Sequence, residues 1–206
     1  MIAEMKDVTK WYGEGKLVFD RASFKIDENE RVLITGSSGS GKTTMARLLC
    51  GMTRADEGDI VCEAKTGMMP EEDIGLDNLT AAENICIPFL FNAAPAKVRR
   101  EHVFALLEYF NMENKAKVKL RLLTPLEHKY VSLMRAVVCG TKLLIADEPA
   151  AGLCKSDRIL FYHQLFHIVQ KLQMSFVCFL DDLTAADMFD KVLQIKEGKL
   201  VEVQHD

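Results

Sequence analysis

The segment Gly36-Ser37-Ser38-Gly39-Ser40-Gly41-Lys42-Thr43 fits the pattern G-x-x-x-x-G-K-S/T, and Thr44 follows it directly. Glycines at these spacings let the backbone curl so that successive N–H groups point inward. A helix starting at Thr43 would add the positive end of its dipole. In that setting Lys42 would neutralise the β- and γ-phosphates of a nucleotide, and the Thr43 hydroxyl would take a position on Mg²⁺. A second constellation lies about a hundred residues on. Leu143-Leu144-Ile145-Ala146-Asp147-Glu148-Pro149 is an aliphatic run ending in two carboxylates. At the end of a buried strand Asp147 would hold Mg²⁺, directly or through water, and Glu148 would orient and polarise an attacking water. Adjacent carboxylates point to hydrolysis rather than transfer to a second substrate.

The elements that must position these groups follow from local pattern. Residues 17–26 and 31–35 read as strands with Asp27-Glu28-Asn29-Glu30 as the turn between them, and 31–35 runs into Gly36. Thr43 to Cys50 reads as a helix that stops at Gly51. From Thr80 to about Val138 the pattern is largely helical, with Leu106, Leu107 and Phe110 on one face. Strand character returns at Lys142–Asp147 and Ser175–Leu180 on either side of a helical stretch from Ser156 to Leu172, and residues 192–203 read as a closing hairpin. This order predicts an α/β fold with a parallel sheet and a helical insert.

Composition sets the limits. The chain has 206 residues, is 49% hydrophobic and carries a net charge of −4, so it has the apolar content of a folded domain rather than of a disordered chain. The balanced charge argues against nucleic acid as a partner, and the basic run Lys115, Lys117, Lys119, Arg121 reads as a solvated face. The six cysteines form no Cys-x-x-Cys pair and sit mostly in apolar runs, which suggests reduced residues in a cytoplasmic protein. The longest charge-free apolar stretch, Ile85 to Ala96, contains Pro88 and Pro95 and is shorter than the ~20 residues of a membrane span.

The phosphate loop, the Leu143–Pro149 strand, the Tyr12-Gly13 turn and Leu79-Thr80-Ala81-Ala82-Glu83-Asn84 together resemble an ABC-type ATPase, the nucleotide-binding subunit of an ABC transporter. The resemblance spans essentially the whole chain and is strongest to the short lipoprotein-release, cell-division and macrolide-export subunits. It implies a P-loop NTPase fold: a RecA-like core with an antiparallel β subdomain and an inserted α-helical subdomain. Residues 1–206 would form one such domain, with the nucleotide-binding core in 1–71 and 139–206 and the helical subdomain in 72–138. It also implies ATP and Mg²⁺ as ligands and ATP hydrolysis with Glu148 as base. The partners would be an integral membrane permease and a second ABC subunit, in a homodimer or heterodimer, with the chain peripheral at the inner face of the cell membrane. Tyr12 would stack on adenine, with Trp11 as the alternative. Glu71 aligns with the family glutamine that reaches the metal.

Several positions depart from the family. The signature Leu-Ser-Gly-Gly-Gln, which holds the partner's ATP, aligns with Leu123-Thr124-Pro125-Leu126-Glu127. Pro125 removes a donor, Leu126 blocks close approach and Glu127 adds negative charge. What remains is a helix start, with Thr124 as N-cap, Pro125 at N1 and Glu127 at N3. The histidine that contacts the γ-phosphate aligns with Asp181, and the acidic residue that crosses the dimer is lost in Ala151-Gly152-Leu153-Cys154. Two alternatives follow: a degenerate ATP-binding scaffold subunit with little hydrolysis of its own, or half of a heterodimer. A small-molecule kinase fits the helical insert less well. His163 and His167 read as packed or surface residues, Asp181-Asp182 as a strand-end turn, and residues 85–91 as core that partly receives a partner.

Overall fold

The computed structural model describes residues 1–13, 15–72, 74–91 and 94–203. In chain order the elements are β1 (Ala3–Tyr12), β2 (Lys16–Ile26), β3 (Arg31–Thr35), α1 (Lys42–Leu49), β4 (Glu57–Cys62) and β5 (Thr66–Met69). Then come α2 (Ala81–Cys86), α3 (Ala96–Tyr109), α4 (Pro125–Val137), β6 (Leu143–Asp147), α5 (Lys155–Lys171), β7 (Ser175–Leu180), β8 (Lys191–Lys196) and β9 (Lys199–Glu202). The chain divides into two compact units. One holds 1–68, 142–148 and 173–206, the other 69–141 and 149–172.

The first unit is built on sheets. A six-stranded sheet runs in the order β5-β6-β7-β3-β8-β9, with β6, β7, β3 and β8 parallel and β9 antiparallel to β8. Every residue of β6 and β7 is buried, which explains their unbroken apolar runs. The second sheet, β2-β1-β4, is antiparallel. α1 packs on β6 and β7, and Met45, Leu48 and Leu49 share a core with Phe19, Ile34, Ile145 and Phe179. Its C-terminus closes on Gly51 at φ 68°, with the Gly51 N–H donating to Leu48 and the Met52 N–H to Arg47. That is a Schellman closure, and it confirms the expected stop.

Three strands were not expected from sequence. β1 is broken by register shifts around Asp7, whose φ of 49° is left-handed, so its apolar residues do not alternate. β4 buries none of its six residues fully, and it passes so close to β1 that a Cβ on Gly58 would lie 2.3 Å from the Asp7 carbonyl oxygen. β5 is only four residues long.

The second unit is helical. Its aromatic contacts run from Tyr109 to Phe110 and on through Tyr130 to Phe161, tying α3, α4 and α5 together. For this reason α5 clusters with the helical unit, where the sequence had assigned it to the nucleotide core. The Asn84 side chain, fully buried in α2, donates to the carbonyls of Leu76, Leu79 and Thr80 and accepts from the Leu76 N–H, which fixes the turn ahead of the helix. His167 is exposed, stacks on the Tyr109 ring and hydrogen-bonds the Tyr109 hydroxyl at 2.6 Å, a surface residue within the packed-or-surface expectation. In residues 85–91, Ile85 and Phe89 are buried while Leu90 and Phe91 are 73% and 86% exposed. All six cysteines are free, and no helix among the described residues is long and apolar enough to cross a membrane.

Candidate functional site

The sheet register builds the site. Thr35 pairs with Leu180, and Asp147 with Phe179, so β3, β7 and β6 end together. The residues after them, Gly36, Asp181 and Glu148, emerge side by side at the carboxyl ends of parallel strands, where α/β sheets bind ligands. The sequence therefore brings distant groups to one edge through strand pairing alone.

The loop has the backbone its glycines predict. Gly41 caps α1 at φ 111°, and a Cβ there would lie 2.6 Å from Val18 Cγ1 and 2.8 Å from Phe19 Cζ, so glycine is required on both conformational and steric grounds. No side chain caps α1, leaving its first-turn N–H groups directed at the loop. Ser37, Ser38 and Gly39 form an exposed rim, and Thr43 and Thr44 sit half-buried on the first turn.

Lys42 is 8% exposed, with its ammonium fully engaged: it donates to the Gly36 carbonyl at 2.8 Å, the Ser37 carbonyl at 3.4 Å and Asp181 Oδ1 at 2.5 Å. Asp147 is 2% exposed. Burial pushes its carboxyl above the usual range against the pull of the Thr43 hydroxyl, Lys42 and Arg47, while the Asp181 charge adds to the rise. Glu148 is raised too, first by burial and then by the Asp181 charge. It also holds φ 41°, a left-handed conformation uncommon outside glycine, costing on the order of 1–3 kcal/mol.

Four oxygens lie buried without a hydrogen-bond partner among the described residues: Thr35 Oγ1, Ser40 Oγ, Asp147 Oδ1 and Glu148 Oε1. All belong to this strand-end cluster. Buried polar atoms normally find partners, so the cluster is built for polar ligands. The donor set fits Mg²⁺, a hard cation that takes oxygen ligands. Among the described residues no group of three or more His, Cys, Asp or Glu could hold a metal.

Tyr12 lies in the same unit, at the end of β1 opposite Lys16. It and Trp11 are 41% and 37% exposed. Lys10 Nζ sits 5.4 Å from the Tyr12 ring centroid and pairs with Asp56 at 3.1 Å; Asp56 in turn accepts the Trp11 N–H at 2.7 Å. Glu71 falls in the second unit, exposed, with its carbonyl accepting Lys129 Nζ at 3.1 Å.

The start of α4, in that second unit, is capped as its sequence predicts. The Thr124 hydroxyl accepts the Glu127 N–H at 3.3 Å and Glu127 Oε2 accepts the Thr124 N–H at 2.8 Å, with Pro125 at N1. Glu127 Oε1 also pairs with Lys115 Nζ at 2.8 Å. Burial alone would raise the Glu127 carboxyl, but Lys115 and the Thr124 amide bring it below its ordinary value. Sequence reasoning missed three partners: Asp181 for Lys42, Lys129 for the Glu71 carbonyl and Asp56 for Trp11. Only the second had a local signal, a lysine on the buried side of an amphipathic helix.

A model of the ABC transporter family matches residues 19–151. The chain is 28% identical over 207 residues to the lipoprotein-releasing system ATP-binding protein LolD of Treponema denticola, covering 92% of each. It is also 28% identical over 228 residues to the phosphonates import ATP-binding protein PhnC of that organism, covering 98% of this chain and 88% of the relative. Among solved structures it is similar to cbiO1 of Clostridium perfringens, part of the ABC transporter complex cbiONQ. The TM-score there is 0.87 at 19% identity, covering 97% of this chain and 86% of the other.

Proposed function

This chain belongs to the ABC transporter family as an ATP-binding component, and from that premise we propose that it binds Mg-ATP at the loop 36–44 and hydrolyses it to drive a membrane permease. The observation that carries the reading is the convergence of Lys42 and the partnerless oxygens of Asp147 and Glu148 at one strand end. The loop amides and α1 bind the phosphates, Lys42 neutralises them and Tyr12 stacks on adenine, with Trp11 beside it. Asp147 and Thr43 would hold Mg²⁺, which when bound supplies positive charge against the phosphate oxygens. Glu148 accepts a hydrogen bond from the attacking water and takes its proton; its raised affinity for protons suits that task.

In this reading 1–71 and 139–206 serve as the nucleotide core and 72–138 as the helical subdomain, although α5 (Lys155–Lys171) groups with the helices of the second unit. The exposed Leu90 and Phe91 offer the permease an apolar contact, holding the chain at the inner face of the membrane. The two curated relatives are named for unlike substrates, lipoproteins and phosphonates, so substrate choice is assigned to the permease.

The test is equilibrium titration with Mg-ATP and steady-state phosphate release. Lys42→Ala is expected to lose ATP binding, and Glu148→Gln to keep binding while turnover falls at least about a hundredfold. Unchanged ATP affinity in Lys42→Ala refutes the reading.

One observation favours a second form of it. At the start of α4 the Thr124 and Glu127 amides are consumed by the capping box and Pro125 has none, so little remains there to bind a partner's phosphate. The chain then contributes one phosphate loop to a heterodimer whose other subunit carries the intact signature. Turnover that appears only when such a subunit is added distinguishes this form from a self-sufficient homodimer.

A further inference from the structure

The ammonium of Lys42 has three N–H bonds, and its three acceptors are the Gly36 carbonyl, the Ser37 carbonyl and the Asp181 carboxylate. Only the last is anionic. Lys42 is buried on a fixed helix start, whereas Asp181 is 62% exposed on the segment after β7, so the pair joins a rigid cation to a displaceable anion. Asp181 also lies close enough to Asp147 and Glu148 for its charge to act on both. The phosphate loop thus already holds an anion on the group that would receive one.

We propose that Asp181 is a specificity-determining residue of the phosphate loop, an internal counter-anion that a nucleoside triphosphate must displace from Lys42 and that biases the chain toward the diphosphate. This rests on the phosphate-loop reading above. A lysine at this position of such a loop serves the β- and γ-phosphates together. A triphosphate brings both to it and contends with Asp181 for the same N–H groups, and its terminal charge is repelled by the carboxylate. A diphosphate carries one phosphate fewer, lies on the loop amides and leaves Asp181 closer to its place. Since Asp181 is exposed and meets solvent, its release needs no unpacking of the core.

The experiment is calorimetric titration of the full chain with Mg-ATP and with Mg-ADP, in the parent, Asp181→Asn and Asp181→Glu. Asp181→Asn is expected to tighten ATP about tenfold and ADP about threefold or less, while Asp181→Glu, which keeps the charge, holds the parent's ATP-to-ADP ratio. A purely structural role for Asp181 would move both nucleotides equally in either variant, and that result overturns the proposal. So does an ATP-to-ADP ratio in Asp181→Asn within about twofold of the parent's while both nucleotides still bind. Absence of binding of either nucleotide to all three proteins would instead bring down the phosphate-loop reading, and the proposal with it.

Discussion

Restoring the family signature in this chain should weaken the fold. The perturbation is the triple change Pro125→Gly, Leu126→Gly and Glu127→Gln. At present Pro125 fixes φ at the first helical position, where its missing N–H costs nothing, and replacing it by glycine frees the unfolded chain at a cost of about 1 kcal/mol. Glycine in place of the half-buried Leu126 costs about another 1 kcal/mol in helix propensity alone. A glutamine in place of Glu127 could still reach the Thr124 N–H but would lose the charge that meets Lys115 at 2.8 Å, a partly buried pair worth about 0.5–1 kcal/mol. Neighbouring changes are not strictly additive, so the expected total is about 2–4 kcal/mol. In a chain of 206 residues that corresponds to about 4–16 °C in Tm. The assay is urea unfolding followed by circular dichroism. Its internal control comes from the sign of the Glu127 shift. Its carboxyl lies below the ordinary value in the folded chain, so its contribution is present above the usual glutamate pKa and is lost as the pH falls through the lowered one. The gap between the parent and Glu127→Gln alone should therefore narrow progressively as the pH falls below the ordinary glutamate range. A triple variant as stable as the parent to within about 0.5 kcal/mol would refute the view that these residues are retained as a cap.

Two further outcomes follow from the site. Gly41→Ala is expected to lose about 1–3 kcal/mol of stability and to weaken nucleotide binding, because its methyl would meet Val18 and Phe19 at a backbone angle alanine resists; paired melts and titrations check it. Glu148→Gln is expected to unfold at higher temperature than the parent near neutral pH. The folded carboxyl holds its proton to higher pH than the unfolded one, so the parent loses stability as pH rises from the ordinary glutamate range to the raised value. The difference should vanish below about pH 4, and a glutamine variant less stable than the parent at pH 7 contradicts the assignment.

Local pattern carried the parallel sheet and not the antiparallel one, for a physical reason. β6 and β7 are buried on both faces, so each is a continuous apolar run that stands out from its flanks. β1 and β4 are stabilised by pairing with each other across a bulge and a glycine contact, features that erase the two-residue alternation a reader of sequence looks for. The same division holds at the site. The loop and the carboxylate pair are contiguous motifs and could be read directly. The link between Lys42 and Asp181 spans 139 residues and exists only because β3 and β7 pair in one register. Alignment to a family marked Asp181 as a replacement; only the folded chain gave it a partner.

Trp11 is the only tryptophan in the sequence. Its backbone is fixed by Asp56 and its ring is partly open to solvent beside Tyr12. The chain therefore contains a single indole, and emission excited selectively at it, beyond the absorption of the four tyrosines, reports on one address, the rim where β1 ends. Occupancy of that rim can be followed by light from the unlabelled protein, without a reporter that would disturb it.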